Sequence, residues 1–278
     1  MIKKTKLFLI SICILLLSNT ALAKDSLKLY VFNCGKITNT NLSVFTPGQN
    51  EGVTKELSNS CYLIDHPKGK LLWDTGLSDQ IPPEGVSIYD GVFKLNVEKK
   101  LIDQLSEIGY KPSDIDFLAL SHFHSDHVGN VNYFKKAKHI IQASEYSAVF
   151  GQQAKDLGFD KTLYEDLKYN KTIKITGDYD VFGDGKVIIK RTIGHTPGHQ
   201  SLFVQLEKEK PFVLSGDLWH FQMAHAKRTV PSFNFNKEDT LESMDIIDAF
   251  IKEKDAKLII QHDKPSFDKL KHSPEFYN

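Results

Sequence analysis

Apolar positions along this chain fall into short runs of two periods. Leu27-Lys28-Leu29-Tyr30-Val31-Phe32 reads as a strand, and a polar stretch follows from Asn33 to Ser60 with Thr46-Pro47-Gly48 as a turn. Cys61-Tyr62-Leu63-Ile64 and Lys70-Leu71-Leu72-Trp73 predict a hairpin across His66-Pro67-Lys68-Gly69. The segment Gly76 to Phe93 carries Pro82-Pro83 and two aromatics, too apolar for a free loop, and reads as a flap over a site or a homodimer interface. Val97, Leu101, Leu105 and Ile108 recur at helical spacing, and Gly109 ends that helix. Ile115 to Leu120 is a buried strand, and His139-Ile140-Ile141 is another, followed by a helix from about Glu145.

The second half repeats the pattern. Strands are expected near Ile173–Thr176, Asp180–Phe182, Val187–Thr192, Ser201–Leu206 and Phe212–Leu214, with Gly183-Asp184-Gly185 as a hairpin turn. Asn236 is placed to cap a helix whose Leu241, Met244, Ile247 and Ile251 share one face, and Leu258-Ile259-Ile260 is a last strand. No repeat or linker interrupts the chain. Strands then helix, twice, predicts an α/β fold of two similar halves packed sheet to sheet within one domain.

The N-terminus changes the compartment. Lys3, Lys4 and Lys6 precede the apolar run Leu7 to Leu17, and Ala21-Leu22-Ala23 supplies small residues at a cleavage site. This reads as a secretory signal, residues 1–23, cleaved after Ala23, because an apolar run of eleven residues cannot span a bilayer that needs about 20. The mature protein is then expected to be periplasmic or secreted, with no membrane contact after cleavage. Export permits a disulfide between Cys34 and Cys61, with two buried free thiols as the alternative.

Charge excludes some partners. Lys and Arg number 35 against 35 Asp and Glu; without the three signal lysines the 278 − 23 = 255 mature residues carry about −3. That balance offers no attraction to nucleic acid.

Ser121-His122-Phe123-His124-Ser125-Asp126-His127 directly follows the buried strand ending at Leu120. His122 and His124 point the same way on extended backbone, while Asp126 and His127 turn toward a second point. One metal cannot take all four from so short a loop, but two metals about 3.5–4 Å apart can. Three further segments have metal-type groups at strand ends or turns. In Gly194-His195-Thr196-Pro197-Gly198-His199 one histidine should complete the first metal, Asp217 follows Phe212–Leu214, and His262 follows Leu258–Ile260.

The run His122-x-His124-x-Asp126-His127, then His199, Asp217 and His262, resembles the metallo-β-lactamase superfamily, and Asp74-Thr75-Gly76 matches its first motif. The resemblance implies a four-layer αββα sandwich and two divalent metal ions. His122, His124 and His199 would hold the first, Asp126, His127 and His262 the second, and Asp217 would bridge. His195 would then be a turn residue. Asp74 would orient a ligand imidazole or simply shape its turn. Zinc is the default for such donors, while iron, cobalt and manganese tolerate the same set.

Within the superfamily the chain looks most like the N-acyl homoserine lactonases. Thr46-Pro47-Gly48, Ser60-Cys61-Tyr62-Leu63, His195 through Phe203 and the tail Pro274-Glu275-Phe276-Tyr277 carry that likeness. It implies lactone ring opening by a hydroxide held between the metals, with Asp126 or His220 delivering the proton. Many such enzymes have a Tyr three residues after the bridging Asp, where this chain has His220. A β-lactamase and a glyoxalase II-like thioester hydrolase are the alternatives. Asp217 stands where one β-lactamase subclass needs Cys, and only 16 residues follow His262, too few for a glutathione-binding domain. A metal-binding protein without activity is the remaining class.

Overall fold

The computed structural model describes residues 26–278, so the expected signal lies outside the described residues. The first sheet is built from β1 (Lys28–Asn39), β2 (Lys55–His66), β3 (Gly69–Trp73), β4 (Val86–Ile88), β5 (Phe93–Asn96), β6 (Phe117–Ala119), β7 (Lys138–Gln142) and β8 (Thr172–Ile175). Its order is β4-β5-β1-β2-β3-β6-β7-β8. The second sheet contains β9 (Tyr179–Asp180), β10 (Val187–Arg191), β11 (Gln200–Val204), β12 (Phe212–Leu214) and β13 (Lys257–Ile259), ordered β13-β12-β11-β10-β9. β14 (Phe276–Tyr277) returns to pair with β1 in the first sheet, Tyr277 opposite Leu29.

The two sheets face each other across a core that joins Val31, Tyr62, Ile64, Leu71 and Trp73 to Val187, Ile189, Leu202, Val204 and Leu214. Alternate residues Leu63 and Leu72 point the other way, onto α1 (Leu101–Glu107), α2 (Ser125–Val128), α3 (Ala143–Val149) and α4 (Lys161–Tyr164). Both faces of β2 and β3 are therefore buried, which is why their sequences read as unbroken apolar runs. On the far side, Phe203 and Val213 pack beneath Met244 and Ile247. These belong to the long helix α6 (Lys237–Lys254), which follows α5 (Gln222–Lys227) and precedes α7 (Lys264–Phe267). The result is the expected α/β, αββα sandwich. Asn236 caps α6 as predicted, its side chain accepting the Asp239 N–H.

The polar stretch after Phe32 holds more structure than its pattern suggests. Past a bulge between Asn33 and Lys36, β1 continues to Asn39 against Lys55–Ser58 and against β5. In β1 and β2 only Ile37 and Leu57 mark that extension as apolar, too sparse an alternation to be read as strands, whereas the partner Phe93-Lys94-Leu95-Asn96 does alternate. The predicted flap is the β4–β5 hairpin with its leading turn. Cys34 and Cys61 are joined by a disulfide. Among the described residues no helix is long and apolar enough to cross a membrane.

Parallel pairing fixes where the loops gather. β3 runs parallel to β6, and β12 parallel to β13. Asp74, the Ser121–His127 loop, Asp217 and His262 each follow the carboxyl end of one of these strands, and so meet at one edge of the sandwich.

Candidate metal centre

Three imidazoles converge first. His122 Nε2 lies 2.9 Å from His124 Nδ1, and His195 Nε2 is 3.2 Å from the former and 3.1 Å from the latter. A second group forms beside it, with Asp126 Oδ2 3.7 Å from His127 Nε2 and 3.5 Å from His262 Nε2. Asp217 stands between them. Its Oδ1 is 3.3 Å from His127 Nε2 and 3.1 Å from His262 Nε2. Its Oδ2 faces His195 at 3.6 Å, His122 at 3.9 Å and His220 at 3.2 Å.

Most of these rings are aimed by the other nitrogen, the exception being His195, whose Nδ1 is buried without a partner. Asp74, at a left-handed φ of 59° after β3, accepts the Ser121 N–H at 2.6 Å and the Ser121 hydroxyl at 3.0 Å. The same carboxylate lies 3.1 Å from His127 Nδ1. Asp74 is thus both the turn residue and the group that orients an imidazole. Ser121 Oγ also reaches His122 Nδ1 at 3.1 Å. His262 Nδ1 donates to the Ser58 carbonyl at 2.8 Å, and the Leu157 backbone bonds His124.

The structure corrects one assignment. His199 does not join the first group, and His195 takes its place. His199 Nδ1 donates to the Thr192 carbonyl at 2.8 Å, and its Nε2 accepts the Asp217 N–H at 2.9 Å. Both nitrogens are spent, so the ring holds the Asp217 peptide and has no lone pair left for a metal. The cause lies in the backbone: Thr192 N–H donates to His199 O, which fixes His199 beside the start of β11 while His195 rides the tip of the turn. Gly216 completes this arrangement at φ 54°, where a Cβ would sit 2.7 Å from His199 Nε2. A residue adjoining a strand is the signal that separates the two histidines.

One further residue escaped sequence reasoning. Glu145, buried on α3, accepts the Gly198 N–H at 2.7 Å beneath the turn that carries His195. Burial pushes its carboxyl up to about 7.

The donor set fits divalent cations. His127 Nε2 and Asp217 Oδ1 are buried without a hydrogen-bond partner, and the nitrogens of the first group face one another. Burial and the neighbouring imidazoles hold His122 well below the usual histidine range, and burial does the same for His195. Neutral rings are the ligating form. Burial alone would lower His127 too, but Asp217, Asp126 and Asp74 outweigh it and raise it. Asp217 is held well below the carboxylate range: burial opposes this, and the facing imidazoles His262, His127, His220 and His122 prevail. The centre floors one end of a cavity of about 830 Å³.

Residues 54–262 match the family model of the metallo-beta-lactamase superfamily, and the chain belongs to that superfamily. It is a metal-dependent hydrolase of the lactonase-like kind. The N-acyl homoserine lactonase AttM of Rhizobium radiobacter is 30% identical over 269 residues, covering 90% of this chain and 98% of the relative. The N-acyl homoserine lactonase AiiA of Bacillus thuringiensis subsp. kurstaki is 28% identical over 260 residues, covering 90% and 98%. An N-acyl homoserine lactone hydrolase solved with N-hexanoyl-L-homoserine at its catalytic metal centre superposes with a TM-score of 0.78 at 27% identity, over 90% of this chain and 98% of that one.

Proposed function

We propose that the protein opens the ring of N-acyl homoserine lactones, a quorum-quenching hydrolysis, using two divalent ions at the centre above. The observation that carries this is Asp217, at the floor of a cavity: its Oδ1 faces His127 and its Oδ2 faces His195 and His122, with His262 within reach of both oxygens. Similarity to lactonases along 90% of the chain supports the substrate class. His122, His124 and His195 would hold one ion, Asp126, His127 and His262 the other, with Asp217 shared. When bound, the ions supply Lewis acidity toward an ester carbonyl and lower the pKa of water, so that a nucleophile exists at neutral pH. Zinc is the default occupant.

The chain's own residues do the rest. His220 lines the cavity 3.2 Å from Asp217 Oδ2 and donates a hydrogen bond to the lactone carbonyl, where charge develops during attack. Asp126 lines the same cavity, takes the proton released by the attacking water, and hands it to the ring oxygen as the ester C–O bond breaks.

The test is side-by-side hydrolysis of acyl homoserine lactones, a simple lactone, a cephalosporin and a glutathione thioester. Acyl homoserine lactones should be turned over fastest; a cephalosporin turned over faster would overturn the reading in favour of a β-lactamase. Elemental analysis should find two ions per chain, and one or none refutes the paired centre. We also propose that the enzyme is exported, with residues 1–23 removed. Mature protein from its native host should begin at Lys24.

A further inference from the structure

Three polar residues lead into the apolar run of β2. Ser58, Asn59 and Ser60 stand between Leu57 and Cys61, and all three are buried. A polar side chain in the middle of a strand costs stability unless its bonds are made. Here the bonds run to two segments, 67 and 203 residues further along the chain. Asn59 Nδ2 donates to the Asp126 carbonyl at 2.8 Å, while its Oδ1 accepts the Leu77 N–H at 3.2 Å. Ser58 serves the other segment: its hydroxyl donates to the Gln261 carbonyl at 3.0 Å, and its own carbonyl accepts from His262 Nδ1. The Ser60 carbonyl accepts the Gln261 side-chain amide at 2.7 Å.

The Asp126 carbonyl needs such a donor, because α2 is a single turn of four residues, too short to satisfy its own carbonyls. Asn59 takes the one at Asp126, and Thr75 takes the one at His127 with its N–H at 2.8 Å and its hydroxyl at 2.9 Å. Asn59 is itself fixed. The β1–β2 ladder passes from Asn33 opposite Ser60 to Lys36 opposite Ser58, so Asn59 lies opposite the bulge. The disulfide closes that bulge onto Cys61, and the Cys34 carbonyl shares the Leu77 N–H at 3.1 Å. Gly76 fits so tightly there that a Cβ would meet Cys34 Cβ at 2.2 Å and Asn59 Oδ1 at 3.0 Å. Among the described residues the tripeptide makes no hydrogen bond to His122, His124 or His195. The His124 ring is held separately, by the Leu157 backbone.

We propose that Ser58-Asn59-Ser60 positions one group of ligands only, Asp126, His127 and His262, and that Asn59 is its governing residue. It sets how tightly the second ion is held and leaves the first alone. The inference rests on the paired centre proposed above. Removing the carboxamide leaves the buried Asp126 carbonyl without a donor, and α2 then moves to find one, carrying Asp126 and His127 away from His262.

Zinc titration of the metal-free protein against a chromophoric chelator should give two stepwise Kd values. In Asn59→Ala, the one that His262→Ala abolishes should rise by about 10- to 100-fold, and the other should stay within about twofold. Ser58→Ala removes one hydroxyl and keeps the Ser58 carbonyl. It should raise the same Kd by about two- to tenfold, and it decides the matter if Asn59→Ala does not fold. In protein already carrying His262→Ala, Asn59→Ala should leave the remaining Kd unmoved. Equal weakening of both ions would make the tripeptide a general scaffold and overturn the proposal. So would two Kd values that neither substitution moves. Unaltered protein that takes up a single ion overturns the paired centre itself, and this inference with it.

Discussion

The two ends of the cavity are built on opposite principles. At the metal end, short loops after strands carry the proposed ligands, and a second bond fixes a ring's aim, as Asp74 does for His127 and the Ser58 carbonyl for His262. At the other, apolar end, side chains from a hairpin and a turn touch through apolar contact alone, with Phe45 at ring-centre distances of 5.6 Å and more from Phe93, Phe221 and Phe233. A hydrogen-bonded constellation has one working geometry, whereas an apolar wall has a range of nearly equivalent ones. Damage at the first end should therefore be abrupt, and damage at the second graded.

The sharpest break is Asp217→Ala. Removing the shared carboxylate should abolish at least one metal position and lower kcat/KM by roughly a thousandfold or more, with the circular dichroism of the fold kept. An unchanged metal content by elemental analysis would refute the shared role. Next come the two histidines of one turn. His195→Ala should lose a metal and roughly a hundredfold or more in rate. His199→Ala should keep both metals and lose about ten- to a hundredfold, through the unanchored Asp217 peptide. The opposite pattern of metal loss would return the ligand role to His199.

His220 tests the border between the two ends. His220→Phe keeps a ring against Phe45 but has no donor, and should lower kcat by roughly 10- to 1,000-fold with both metals retained. His220→Tyr should recover part of that loss. Wild-type turnover in the Phe variant would reduce His220 to packing.

The smallest effect is on stability and sits behind the metal end. The fold holds the Glu145 carboxyl at about 7, against an ordinary value of 4.5 in the unfolded chain. Between those values the unfolded chain has released its proton and the folded one has not. Stability conferred by the protonated form is therefore complete below about pH 4.5 and is lost as pH rises through 7. Glu145→Gln should gain on wild type by roughly 2–3 kcal/mol across that window. Denaturant midpoints of the two proteins that stay parallel from pH 4.5 to 7.5 would contradict it.

How legible each end is in the sequence follows from how local it is. His122 through His127 lie in one loop after one strand, so their chemistry is visible at a glance. Asp217 and His262 are readable because apolar strands point at them. The choice between His195 and His199 depends on a ladder bond from Thr192, and its one trace in the sequence is that His199 adjoins a strand. The apolar end is less legible still: Ile37 and Leu57 are single apolar residues in polar surroundings. They become a wall only when the extended β1 pairs with β2 on one side and β5 on the other. The sandwich itself was readable because runs such as Leu71-Leu72-Trp73 are buried on both faces.

The bond between Cys34 and Cys61 ties together residues 27 apart in the chain. By the chain-entropy argument a cross-link of that span narrows the unfolded ensemble by about 3–4 kcal/mol. Thermal tolerance is then inherited from the place of synthesis as well as from the gene. The same polypeptide made in a reducing cytosol and in an oxidising compartment should have one shape and two melting temperatures, and a producer who wants it to outlast a warm, dilute medium should choose the host accordingly.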